Sequence, residues 1–169
     1  MSDDIFIGIG GNLLPDGYSD LHSAFSAAVD SLGQQVTLCA CSPWYVTAPV
    51  PVSDQPDFLN AVLRIQTAVS AHDLLDILLD TEARFGRVRS VRNAARKLDL
   101  DILAWGTQLI NDDRLSVPHP RLAERAFVLL PWRDIAPDWV HPVCGKTIAD
   151  LAEQDQITAQ EIRRYSDPL

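Results

Sequence analysis

Leu98-Asp99-Leu100-Asp101-Ile102-Leu103-Ala104-Trp105 reads as a β-strand, and the segments that lead up to it decide the fold. In a strand, alternate side chains share a face, so Leu98, Leu100 and Ile102 point into a core while Asp99 and Asp101 point the other way. Working back along the chain, residues 72–85 place Leu74, Leu75, Leu78, Leu79 and Phe85 on one stripe of an amphipathic helix. Phe58 to Thr67 reads as a strand before it, and Gln35 to Cys41 as another. Residues 19–32 carry Leu21, Phe25, Ala28, Val29 and Leu32 at helical spacing, with Gly33 as a stop signal. Ile5 to Ile9 is a buried strand that Gly10-Gly11-Asn12 ends in a tight turn. Between the second and third strands, Ser42 to Asp57 contains Pro43, Pro49, Pro51 and Pro56 and reads as a long irregular loop.

Downstream of Trp105, Asn111-Asp112-Asp113 forms a turn between Leu109-Ile110 and Leu115-Val117. A helix is expected from residue 121 to Pro131, and a short one from Lys146 to Glu153. Residues 154–169 are polar and expected to be a peripheral tail. The order strand, helix, strand, strand, helix, strand predicts an α+β fold: a ferredoxin-like antiparallel sheet with the first helices on one face. With the later helices on the other face, the result is a three-layer αβα arrangement. The whole of 1–169 is expected to be one domain.

The formal net charge of -9 argues against a general nucleic-acid binder and against a membrane-surface role, because both need a positive face. Three cysteines, Cys39, Cys41 and Cys144, do not make a secreted disulfide framework. Cys39 and Cys41 share a face of one strand and are expected to be buried. No basic leader or long apolar run is visible near Met1, so the expected compartment is the cytoplasm.

Asp99 and Asp101 have Cα atoms roughly 6.5–7 Å apart on a rigid strand. Two such carboxylates can hold Mg²⁺ while phosphates and water complete its shell, or bridge two metals. A solvated acidic strand face is the commoner meaning of that pattern alone. Its neighbourhood changes the weighting: Arg84, Arg87, Arg89, Arg92, Arg96 and Lys97 form a basic run with no acid among them, immediately before the aspartates. Arginines bind phosphate oxygens through charge-assisted hydrogen bonds, and the carboxylates bind the metal those phosphates need. No Gly-x-x-x-x-Gly-Lys-Ser/Thr is present, so side chains rather than a glycine cradle would hold the phosphate. Val117-Pro118-His119-Pro120-Arg121 puts a histidine on a stiff segment, where it can touch phosphate or serve a structural role.

Taken together and in order, several motifs resemble the 6-hydroxymethyl-7,8-dihydropterin pyrophosphokinase family. They are Gly10-Gly11-Asn12-Leu13, Tyr45-Val46-Thr47-Ala48-Pro49, Asp54 to Asn60, Gly86-Arg87-Val88-Arg89, Arg96 to Asp101, Val117-Pro118-His119, Arg125 to Leu129, and Ile135-Ala136-Pro137. The resemblance implies that a pterin hydroxymethyl oxygen attacks the β-phosphorus of ATP and AMP leaves. It implies Mg²⁺, as two ions, at Asp99 and Asp101. Arg87 and Arg96 match arginines that engage the triphosphate, and Glu82, Arg89, Arg92, Arg114 and His119 match further nucleotide-side positions. Phe58 and Phe127 match an aromatic pair that sandwiches the pterin, with Asn60 and backbone groups from Thr47, Ala48 and Pro49 at its edge. The implied partners are ATP and a small pterin, and a monomer is expected. This sequence departs from the family's pattern at Asn93-Ala94-Ala95, where an aromatic, Gly and Pro are usual, and at Val46, Phe58 and Lys97. A metal-dependent phosphohydrolase and a non-catalytic nucleotide-binding module remain open as alternatives.

Overall fold

The computed structural model describes residues 3–49, 51–86 and 98–166. Its elements, in chain order, are β1 (Ile5–Gly11), α1 (Leu21–Gly33), β2 (Thr37–Cys41), β3 (Tyr45–Thr47), β4 (Phe58–Gln66), α2 (Ala71–Arg84) and β5 (Asp99–Trp105). The hairpin pair β6 (Ile110–Asn111) and β7 (Ser116–Val117) follows, then α3 (Ala126–Ile135), α4 (Ile148–Ala152), α5 (Asp155–Thr158) and β8 (Ile162–Arg164). Both long helices begin at side-chain caps. Asp20 accepts a hydrogen bond from the Ser23 N–H at 2.7 Å and Ser70 one from the Asp73 N–H at 3.1 Å, satisfying donors the helix itself cannot.

The main sheet runs β5-β1-β4-β3-β8, with β2 also paired to β4, and its ladders are antiparallel. Alternation along β1 builds two cores, one on each face. Ile5, Ile7 and Ile9 pack with Phe25 and Leu32 of α1, Leu74 and Leu78 of α2, and Leu98, Leu100 and Ile102. Phe6 turns to the other face and packs with Leu103, with Leu129 and Trp132 of α3, and with Ile148 and Leu151 of α4. The antiparallel sheet is thus sandwiched between helices, an α+β architecture.

Several sequence expectations need correcting. The strand at the N-terminus does not stop at Ile9: Gly10 and Gly11 stay in the ladder, pairing Asn60 and Leu59 of β4. The proline-rich segment contains a strand, β3, because β2 and β3 share β4 as a partner. Ser42 and Pro43 divide them. The Val62 N–H donates to Ser42 Oγ at 2.9 Å, a side-chain substitute where the strand breaks before a residue with no N–H of its own. Cys39 and Cys41 are exposed rather than buried, since β2 lies at the sheet's margin and its register slips between Leu38 and Ala40. Residues 122–124 make a separate 3-10 turn, and the helix starts only at Ala126, after Arg125 takes an extended conformation. That helix runs through Pro131. One missing N–H in its middle is outweighed by the burial of Val128, Leu129 and Trp132. The tail is not peripheral over residues 155–164, for Ile157 is buried in the second core and β8 is paired to β3.

Candidate active site

The face of the sheet that Leu103 and Val62 begin as core continues as a polar floor toward the C-terminal end of β1. There Asp101 stands opposite Gly8, and Asp99 opposite Gly10, in the β1–β5 ladder. On the far side of β1, Gly10 pairs with Asn60 of β4. Both aspartates are half-buried. Gly10 was expected to make a turn; with Gly8 it instead gives the carboxylates a neighbouring stretch of strand that carries no side chain on this face. The missing side chain matters most at Gly10, where a Cβ would lie 2.3 Å from Asn60 Oδ1 and 3.3 Å from the Leu59 carbonyl oxygen. Asn60 itself is buried and its Nδ2 donates to Thr47 Oγ1 at 3.3 Å. Thr47 is the ladder partner of Phe58, so Thr47, Phe58 and Asn60 form one group on β3 and β4. Ala48 is exposed and Pro49 buried just beyond it.

β5 is the sheet's margin, and its outer edge is held at two points. The Leu100 N–H, between the two aspartates, donates to Glu82 Oε1 of α2 at 2.7 Å, and the Leu103 carbonyl accepts from the His119 N–H at 2.9 Å. Occupying the edge groups holds the strand that carries the acids and blocks further strand addition there. Glu82 is buried at 2 % exposure, which makes it a latch on β5 in this structure.

His119 follows the cis Val117–Pro118 bond. Its Nδ1 accepts the Arg121 N–H at 3.1 Å, which leaves the proton of the neutral ring on Nε2. Burial, and then the positive charge of Arg125, push its pKa down to about 4, against an opposing pull from Asp99. His119 is therefore neutral at pH 7 and offers an Nε2–H donor. We expect an NMR titration of the free protein to show no His119 midpoint between about pH 5.5 and 8. The unfolded chain takes up this proton near pH 6.5 and the folded one only near pH 4, so His119 destabilises the fold progressively as pH falls through that window and has no such effect above it.

Arg125 joins the same group. Burial lowers its pKa, Arg121 adds to this, and Asp101 and Asp99 oppose it. Its guanidinium carbon lies 5.4 Å from the centroid of the Phe127 ring, in the first turn of α3. Phe127 is partly buried against the second core. Arg125 was not among the expected site residues; its position two residues before Phe127 was the available signal. Arg114 is engaged elsewhere, its Nη2 2.6 Å from Asp76 Oδ1 on α2. Arg87, Arg89, Arg92 and Arg96 lie outside the described residues, as does the rest of the basic run from Arg87 to Lys97.

Among the described residues no group of three or more His, Cys, Asp or Glu side chains could hold a metal by itself. The Asp99–Asp101 pair does fit Mg²⁺ in the way that ion is most often bound by phosphate-handling proteins, with one or two carboxylates and the remaining positions left to phosphate and water. A shallow polar recess of about 350 Å³, lined by Gly33 to Thr37 and Gln66 to Ala68, lies at the opposite end of β4 and contains no titratable side chain.

A 2-amino-4-hydroxy-6-hydroxymethyldihydropteridine pyrophosphokinase of Synechocystis is 39% identical over 153 residues, covering 90% of this chain and 76% of that protein. One from Pseudomonas aeruginosa is 40% identical over 136 residues, covering 79% of this chain and 81% of its own length. Among solved structures, a triple mutant of Plasmodium falciparum HPPK-DHPS superposes with a TM-score of 0.75 at 14% identity, over 97% of this chain and 47% of that one. At that identity the likeness speaks for the fold alone, and this chain spans about half of that longer protein. The model of the 7,8-dihydro-6-hydroxymethylpterin-pyrophosphokinase family matches residues 6–137, the stretch that contains every residue of the polar floor, and the chain belongs to that family.

Proposed function

We propose that this chain transfers pyrophosphate from ATP to the hydroxymethyl group of 6-hydroxymethyl-7,8-dihydropterin, releasing AMP, as a step of folate biosynthesis. The observation that carries the reading is the juxtaposition on one sheet face. Paired carboxylates on β5 adjoin a strand bare of side chains, with a polar and aromatic group on β3 and β4 to one side and a cationic group around Arg125 and His119 to the other. A flat heterocycle needs ring faces and a few fixed polar partners. Phe58 and Phe127 would supply the faces, Asn60 and the Thr47-Ala48-Pro49 backbone the edge. Phe127→Ala should raise the KM for pterin about 10-fold, as expected from losing one stacking face, with the KM for ATP within about twofold of wild type. Equal loss for both substrates would count against the sandwich.

Asp99 and Asp101 would hold the Mg²⁺, as two ions. When bound, these would supply positive charge that neutralises the triphosphate during the transfer. The protein's share is positioning and electrostatics. His119 would donate its Nε2–H to a phosphate oxygen, and Arg87, Arg89, Arg92, Arg96 and Arg114 would grip the triphosphate. Arg114 would have to exchange Asp76 for phosphate. Glu82 would serve the nucleotide side by holding β5. The pterin hydroxymethyl oxygen forms a bond to the β-phosphorus. The bond from that phosphorus to the α,β-bridging oxygen breaks, AMP leaves with the electron pair, and the hydroxyl proton passes to water.

The strand order β5-β1-β4-β2 supports a ferredoxin-like core, in a single domain over 1–169. A monomer in the cytoplasm, acting on small molecules and not on nucleic acid or membrane, accords with the net charge of -9. Among the described residues no helix is long and apolar enough to cross a membrane. The deciding experiment is AMP release from Mg-ATP with and without the pterin. Pterin-dependent AMP supports the proposal. AMP formed equally without pterin favours a phosphohydrolase, and ATP binding without turnover favours a binding module.

A further inference from the structure

Residues Ile162–Arg164 extend the sheet along the edge of β3 that β4 leaves open, pairing Thr47 with Ile162, Val46 with Arg163 and Tyr45 with Arg164. Side chains on the α3 face then close a triangle. The Tyr45 hydroxyl donates to Asp134 Oδ2 at 2.5 Å, Arg164 Nη2 donates to Asp134 Oδ1 at 3.0 Å, and Arg164 Nε donates to the Tyr45 oxygen at 3.2 Å. Tyr45 is 5% exposed and the Asp134 side chain 15%, so two of the three members are withdrawn from water, where such bonds are stronger than in an exposed ion pair. Burial and the Asp134 carboxylate both raise the Tyr45 pKa, keeping the phenol protonated and able to donate.

The next residue grips the opposite face. The Tyr165 N–H donates to the Trp44 carbonyl at 2.8 Å, and its ring stacks on His22 of α1 with centroids 5.2 Å apart. A three-residue strand is thereby clamped to both helical layers by consecutive side chains. What it holds is β3, which runs directly into Thr47-Ala48-Pro49 and whose Thr47 accepts the amide of Asn60. Without β8, β3 would be a three-residue strand paired on one side only.

We propose that β8 is a positioning element for the pterin side of the active site, with Arg164 as the positioning residue that acts through Tyr45 and β3. The inference rests on the function proposed above. It is tested in the full-length enzyme with Arg164→Ala, Arg164→Lys, Tyr45→Phe and the Arg164→Ala/Tyr45→Phe double variant, varying pterin and Mg-ATP separately and recording thermal unfolding for each. Arg164→Ala should raise the KM for pterin about 3- to 10-fold, with kcat and the KM for ATP within about twofold of wild type. Arg164→Lys should recover part of the loss, because an ammonium still reaches Asp134 but cannot fork to Tyr45. The double variant should be no worse than its worse parent, as for residues that act as a unit.

An unchanged pterin KM, or losses that fall equally on both substrates, would overturn the proposal. Should Arg164→Ala fail to fold, Tyr45→Phe decides, since it keeps the ring and removes only the hydroxyl: a wild-type pterin KM then overturns it. A wild-type enzyme with no pterin-dependent AMP release sinks the functional reading and this inference with it. An active wild type with no pterin effect in either variant sinks this inference alone.

Discussion

Asp101→Asn should lower pterin-dependent AMP formation by about 10³-fold while leaving the melting temperature within a few degrees of wild type. Asp101 is half-buried on β5 and faces Gly8, so neither its charge nor its position can be replaced by a neighbour on β1. Among the described residues two carboxylates mark this floor, and no third ligand joins them in a metal-holding group. Losing one therefore removes half of the carboxylate charge that the described residues would offer the proposed metal site. The amide keeps the size and can still accept a hydrogen bond, so packing is little disturbed. Asp101 also opposes the depression of the Arg125 pKa, so the variant shifts the local field toward positive on both counts. Initial rates at saturating pterin and ATP, alongside a thermal melt, make the test; a rate within a few-fold of wild type would remove the two-carboxylate metal site from consideration.

Gly10→Ala should damage turnover far more than stability. The added Cβ would meet Asn60 Oδ1 at 2.3 Å, which cannot be tolerated, but the atom it strikes ends a side chain that can swing away. The fold then loses about 1 kcal/mol, from the Asn60–Thr47 hydrogen bond and from tightness against the Leu59 carbonyl at 3.3 Å. On the proposed reading pterin recognition loses its placed amide, and a displacement of about 1 Å in a positioning group can cost about 10²-fold in kcat/KM. Chemical denaturation together with kcat/KM for pterin separates the two effects. A variant whose activity falls only in step with its stability would show that the Asn60–Gly10 contact is packing and nothing more.

The alternation of Leu98 to Ile102 was enough to place Asp99 and Asp101 together on a polar face, because a two-residue period has one meaning once the strand is recognised. Helices α1 and α2 were readable for the same reason, at a period of 3.6. Gly10 and Gly11 were not. Glycine is weak evidence for a strand, and it is the pairing of β1 with both β4 and β5 that keeps these residues extended. β3 and β8 escaped because each is three residues long and held by partners distant in sequence, Asn60 and Asp134 among them. Helix α3 escaped at its start, where Arg125 is extended, and at Pro131, where tertiary burial overrides local preference. The basic run from Arg87 to Lys97 keeps the standing that its composition confers, since it lies outside the described residues.

The bare strand has a consequence for inhibition. Most binding sites can escape a drug by exchanging one side chain for another, but Gly10 presents backbone alone, and every possible replacement adds the same forbidden carbon beside Asn60. A compound that rests its weight on β1 between Asn60 and Asp99 would thus press against a part of the proposed site from which an escape mutation should also disarm the enzyme.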